Sequence, residues 1–148
     1  MFHHLLVPID GSDVSLDALD HAIDYACLEG ASLDLVHVID KRIVAAGPRA
    51  LPSEAQTSLL EKLHEHGEHL LNDSSARAKA RGVQTRIHLL QGNIAEEVDR
   101  VSGRLGCDLI IMGTHGRRGW APMILGSTAE AVLQRCACSV LLVAYLAR

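Results

Sequence analysis

Asp108-Leu109-Ile110-Ile111-Met112 runs directly into Gly113-Thr114-His115-Gly116, and after nine further residues the chain reads Gly126-Ser127-Thr128. A short run this apolar is a strand buried on both faces. The glycines behind it let the backbone turn and approach a ligand closely. Gly126-Ser127-Thr128 then opens a helix, whose first amides lack acceptors and carry a partial positive charge. Strand, glycine loop and helix in that order can cradle phosphate. Ser127 and Thr128 add hydroxyl donors, and Arg117 or Arg118 can screen the outer charge of a triphosphate. The Gly-Lys-Ser/Thr of a P-loop is missing, and Gly113, Gly116 and Gly119 do not form Gly-x-Gly-x-x-Gly. The competing reading is an ordinary loop with turn glycines.

Outward from this stretch, strands and helices alternate. Leu5-Leu6-Val7-Pro8-Ile9 is a first strand ending in the turn cluster Asp10-Gly11-Ser12-Asp13, where Ser12 or Asp13 can cap a helix from Ser15 to about Leu28, closed by Gly30. Leu33 to Ile39 is a second strand, and Lys41 to Pro52, with its Gly47, Pro48 and Pro52, is expected to be a loop. A long helix starts near Ser53 or Glu54 and stops around Gly82, with Leu59, Leu60, Leu63, Leu70 and Leu71 as its core stripe. Thr85 to Leu90 is a third strand. A helix carrying Ile94, Val98, Val101 and Leu105 ends at Gly106, and a helix from Ser127 to about Arg135 precedes a fifth strand, Ser139 to Ala144. Strands apolar on both faces alternating with helices predict one doubly wound α/β domain over residues 1–148, a parallel five-stranded sheet flanked by helices. Ligands of such sheets bind outside the carboxyl ends of the strands, which directs attention to the ends of strands one and four.

Size and composition are consistent with this. A chain of 148 residues suits one domain that buries roughly two-thirds of its unfolded surface. Hydrophobic residues make up 48%, with one Trp, two Tyr and one Phe, so the core is aliphatic. A net charge of −4 offers no basic field for nucleic acid or an anionic membrane. The N-terminus reads as a strand rather than a signal peptide, and no apolar run is long enough for a membrane span. The expectation is a soluble, cytoplasmic protein. Cys27, Cys107, Cys136 and Cys138 match neither a disulfide framework nor a zinc knuckle, and read as small buried hydrophobes.

The opening Leu6-Val7-Pro8-Ile9-Asp10-Gly11-Ser12, His37-Val38-Ile39-Asp40 after the second strand, and Gly113-x2-Gly116-x9-Gly126-Ser127 together resemble the universal stress proteins, specifically their nucleotide-binding class, over essentially the whole chain. The resemblance implies an adenine nucleotide α-hydrolase-like, Rossmann-like sheet of strand order 3-2-1-4-5 that binds ATP; Mg²⁺ is expected on the phosphates. It also implies a homodimer formed through the last strand and a role in stress survival. Carried onto this chain, it puts Pro8, Ile9 and Asp10 at the adenosine end, with Asp10 near ribose or adenine and Val38 against the base. Met112 and Gly113 flank it, and Gly116, Gly126, Ser127 and Thr128 hold the phosphates. One departure is Ser139, where many relatives have proline; it leaves a backbone donor at the start of the fifth strand and bears on edge pairing.

Asp10 also has a rationale of its own, because a carboxylate at the end of strand one can accept ribose hydroxyls; the alternative is a helix cap. His115 is the best catalytic candidate, yet no second carboxylate in the loop offers itself to orient water, so no catalytic residue is assigned. His64, Glu65, His66, Glu68 and His69 invite a metal reading, but of the three histidines only His66 and His69 share a helix face, which favours a solvated surface. Trp120 can be a lid or a partner contact. The functional expectation is an ATP-dependent switch with at most slow hydrolysis. The alternatives are a low-turnover ATPase and an interaction protein with a vestigial nucleotide site.

Overall fold

The computed structural model describes residues 1–45, 52–114 and 125–144. Its elements are β1 (His4–Pro8), α1 (Asp13–Glu29), β2 (Ser32–Asp40), α2 (Lys41–Ala45), α3 (Ser53–Ala80), β3 (Thr85–Gly92), α4 (Ile94–Leu105), β4 (Leu109–Gly113), α5 (Ser127–Arg135) and β5 (Ser139–Val143). The five strands form one sheet in the order β3-β2-β1-β4-β5, every pairing parallel. This is the expected doubly wound order, with the reversal between β1 and β4.

Side-chain alternation along the strands builds two cores. Leu5, Val7, Leu33, Leu35, Leu109 and Ile111 face one side, against Ala18, Leu19 and Ile23 of α1 and Leu71 and Ala78 of α3. Leu6, Val36, Val38, Ile110 and Met112 face the other, against Val98 and Val101 of α4 and Ala129 and Val132 of α5. Two covered faces explain why these strands read as continuous apolar runs.

The helix starts follow their caps. Ser12 accepts from the Ser15 amide at 3.3 Å and Asn93 from the Glu96 amide at 3.1 Å. Gly30 and Gly106 close α1 and α4 in the left-handed conformation at φ 70° and 68°.

Two expectations need correction. The segment from Lys41 was expected to be loop, yet Lys41–Ala45 is helical. Asp40 starts it: its Oδ1 accepts the Arg42 amide at 2.9 Å, while the Arg42 guanidinium forks back onto the same carboxylate at 2.7 to 3.1 Å. Residues 46–51 of that expected loop lie outside the described residues. In α3, Leu71 is buried and Leu70 packs against the core from a half-buried position, but Leu59, Leu60 and Leu63 are only half-buried, and the other buried positions of the helix are Gly67, Ser74, Ser75 and Ala78. The 28 residues of α3 span about 42 Å, against about 30 Å for the longest strand, the nine-residue β2. The helix therefore overhangs the sheet at its N-terminal end. Among the described residues, no helix is long and apolar enough to cross a membrane.

Candidate functional site

Where β1, β2 and β4 end, the described residues outline a cavity of about 310 Å³, at the small end of the range for ligand pockets. One wall is the end of β1, Pro8 to Asp10. Val36, His37 and Val38 of β2 form the next, Met112 to Thr114 follow β4, and Gly126 to Ala129 bring in the start of α5.

Backbone hydrogen bonds fix these pieces against one another. The Ile9 amide donates to Val36 O at 2.8 Å, and His37 Nδ1 donates to Ile9 O at 2.7 Å, which ties the exit of β1 to β2. Thr114 N donates to Val143 O at 2.9 Å and Gly126 N to Thr114 O at 2.7 Å. The latter bond holds the start of α5 against the end of β4. Gly126 is extended at φ −62°, ψ 146° and carries no capping side chain. Among the described residues, the first-turn amides of α5 therefore face the cavity without the N-cap side chain that usually covers a helix start, and they attract an anion.

Asp10 is exposed at the rim. Its Oδ1 accepts from the Ser12 amide at 2.8 Å and from Ser12 Oγ at 2.5 Å, an arrangement that shapes the turn into α1. Ser12, in turn, caps the helix. The two roles weighed for Asp10 therefore separate: Ser12 is the cap, Asp10 braces Ser12, and among the described residues only one carboxylate oxygen is engaged.

Gly113 sits where β4 passes the start of α1. A methyl group there would lie 2.8 Å from both Val14 Cγ atoms and 3.1 Å from the Val14 carbonyl carbon. Only glycine lets the strand end, and the cavity wall it forms, pass this close to the helix.

Pro8, Ile9, Asp10, Val38, Met112, Gly113, Gly126, Ser127 and Thr128, nominated from the sequence, line this one cavity. Gly116 and Arg117 lie outside the described residues, as do His115, Arg118 and Trp120. Ser12, Val14, Ser15, Val36, His37, Ile94, Thr114 and Ala129 also form the wall and were not nominated from the sequence. Ile94 had a signal, being the first residue of a helix that starts at the carboxyl end of β3. His37 neighbours the nominated Val38 on β2, but its side chain takes the opposite face, under Gly67 of α3. The histidines of α3 are exposed, as expected of a solvated face, although His66 also stands edge-on to His37 with ring centroids 6.4 Å apart. Cys107 is buried, Cys136 and Cys138 half-buried, and Cys27 exposed, so the expectation of buried cysteines fails at Cys27, on the outer side of α1.

Fold and cavity together define an open α/β protein with a cavity at the switch point of its sheet. The model of the universal stress protein family matches residues 1–144, and the chain belongs to that family. It is 35% identical over 144 residues to the universal stress protein MJ0531 of Methanocaldococcus jannaschii, covering 97% of this chain and 82% of that one. Among solved structures, the hypothetical protein MJ0577, described as a structure-based assignment of biochemical function, superposes with a TM-score of 0.87 at 27% identity, covering 100% and 99% of the two chains. A universal stress protein solved in complex with cAMP shares the fold, with a TM-score of 0.67 at 24% identity and 97% of each chain covered.

Proposed function

We propose that this protein is an ATP-binding regulator of the stress response, in which the nucleotide is held for signalling rather than consumed. The observation that carries this reading is the uncapped start of α5, set across a cavity from the apolar ends of β1 and β2. Val38 and Met112, both nearly buried, offer an apolar slot for a base. Asp10 offers a carboxylate for ribose hydroxyls, and Gly126, Ser127 and Thr128 offer amides and hydroxyls for phosphates. Gly116 and Arg117 complete the phosphate contacts in this proposal. The cAMP complex of a like-folded family member supports an adenine nucleotide as the ligand class.

Among the described wall residues Asp10 is the single carboxylate, and it is braced by Ser12. A Mg²⁺ ion would therefore be carried on the phosphates, with the Ser127 and Thr128 hydroxyls nearby, rather than in a protein cage. The same poverty of carboxylates favours holding ATP over cleaving it, because hydrolysis needs a group that orients water opposite the leaving phosphate. The protein works in the cytoplasm as a homodimer joined through β5, an edge strand whose Leu141 is 46% exposed.

Mass spectrometry of ligand carried through purification tests the ligand class, and a steady-state phosphate assay tests the holding role. Co-purified ATP with negligible turnover is the expected pair of results. Sustained turnover that collapses in His115→Ala would make the protein an ATPase. An unchanged oligomer and partner affinity with and without nucleotide would make the site vestigial.

A further inference from the structure

At the opposite edge of the sheet from the cavity, where the strands begin, a second group of chemically active side chains converges. Asp34 of β2 is fully buried. Its Oδ1 accepts from Arg86 Nε at 3.0 Å and His88 Nε2 at 2.6 Å, and its Oδ2 accepts from Arg86 Nη2 at 2.8 Å and from His4 Nε2. Strand register brings these residues together, since Asp34 stands opposite Leu6 on β1 and opposite Arg86 on β3. Cys107, buried just before β4, completes the group: a ring nitrogen of His4, an Asp34 oxygen and Cys107 Sγ all lie within 4.8 Å of one another. His4 is itself fixed, because the Asp108 carboxylate accepts the His3 and His4 amides at 2.8 and 3.0 Å.

The hydrogen bonding at His4 is internally conflicted. Nε2 faces both the Asp34 carboxylate and Arg86 Nη2, the latter at 3.0 Å. A protonated Nε2 suits the carboxylate but opposes the guanidinium, whereas a bare lone pair suits the guanidinium but opposes the carboxylate. A cation between Nε2 and Oδ2 satisfies lone pair and carboxylate together. Arg86 occupies that role with a side chain 55% exposed, so its Nη2 can return to water at small cost.

We propose that His4, Asp34 and Cys107 form a binding site for a transition-metal dication of the zinc type, in competition with the guanidinium of Arg86. One imidazole, one carboxylate and one thiolate form a donor set suited to zinc, and three protein ligands leave a fourth position open to water. Tetrahedral coordination wants donor atoms about 3–4 Å apart, so an entering ion parts the hydrogen-bonded His4 Nε2 and Asp34 Oδ2, while the trio's outer limit of 4.8 Å leaves only about 1 Å to close elsewhere. His88 stays on the other carboxylate oxygen as a supporting contact that holds its orientation. Binding displaces the thiol proton of Cys107 to solvent.

The test is titration of the full-length protein with Zn²⁺ by calorimetry, and with Co²⁺ by absorption spectroscopy, joined to X-ray absorption of the zinc-loaded wild type. One equivalent is expected, with a thiolate-to-cobalt charge-transfer band and a single sulfur in the zinc shell. Cys107→Ser and His4→Gln are expected to weaken binding on the order of 100-fold, the upper end of what loss of even a supporting contact costs. Arg86→Gln is expected to bind more tightly. A variant carrying His64→Gln, His66→Gln and His69→Gln, and another carrying Cys136→Ser and Cys138→Ser, are expected to bind as wild type does. Absence of binding, a zinc shell without sulfur, loss of binding that follows the α3 histidines or the Cys136 and Cys138 pair, or Arg86→Gln binding no tighter than wild type would each overturn the proposal. The absorption measurement on wild type stands even if a variant fails to fold.

Discussion

Gly67 of α3 lies directly over His37 of β2: a methyl group at Gly67 would stand 2.8 Å from His37 Cδ2 and 2.7 Å from Leu89 Cδ1. The helix can cross this close only because position 67 has no side chain. His37 in turn holds Ile9 O at 2.7 Å, and both residues line the cavity. The crossing of α3 and the shape of the ligand site are therefore coupled through one imidazole.

Gly67→Ala is predicted to destabilise the fold by about 1–3 kcal/mol through overpacking, and to weaken nucleotide binding because His37 must give way. Thermal unfolding and calorimetry on the same variant check both effects. A stable variant with full affinity would mean that the helix shifts freely and that the coupling does not exist.

Asp10→Ala is predicted to separate binding from stability. Loss of a charge-assisted hydrogen bond to ribose costs about 1.5–3 kcal/mol, roughly 10- to 100-fold in affinity. The fold should lose less than about 1 kcal/mol, because Ser12 Oγ still caps α1. Unchanged affinity for ATP would assign Asp10 to the turn alone.

Asp34 makes a signed prediction about acid stability. Burial alone raises its carboxyl pKa, but hydrogen bonds from Arg86, His88 and His4 outweigh this and hold it below the ordinary 3.8. A depressed folded-state pKa contributes stability that is complete above the unfolded value and lost as pH falls through the folded one. The loss therefore falls below about pH 4. Asp34→Asn should cost about 3 kcal/mol at neutral pH in the presence of chelator, with a shallower acid limb than wild type. Asp40 and Asp108 are depressed as well, so the informative quantity is the difference between the two unfolding curves. Parallel acid limbs would contradict the assignment.

Leu141→Lys on the exposed face of β5 tests the dimer. Sedimentation is expected to show the molecular mass halved relative to wild type, with the fold intact. A monomeric wild type, or a variant that stays dimeric, removes β5 as the joint.

The sheet was legible because Leu5, Leu33 and Leu109 start apolar runs covered on both faces, and Gly30, Gly82 and Gly106 punctuate them. The cavity wall contributed by strand ends was legible for the same reason: Asp10 and Gly113 follow directly on such runs. What escaped depends on tertiary placement. The short helix after Asp40 needs the return contact of Arg42, which is invisible beside Gly47 and Pro48. The overhang of α3 follows from a length mismatch with the sheet, and its leucine spacing does not report it. Asp34 reads as an ordinary polar residue in an apolar strand until register sets it beside His4, His88 and Cys107, which come from three other parts of the chain.

In the proposed function, the start of α5 and the ends of β1, β2 and β4 hold one adenine nucleotide. Calorimetric titration with ATP and Mg²⁺, for wild type and Gly126→Val, addresses it most directly, since a valine at the uncapped helix start intrudes on the phosphate position. One site per chain is expected in wild type, with binding weakened at least about tenfold, or 1.4 kcal/mol, in Gly126→Val. No binding by nucleotide-free wild type, or equal affinity in the two proteins, would contradict it.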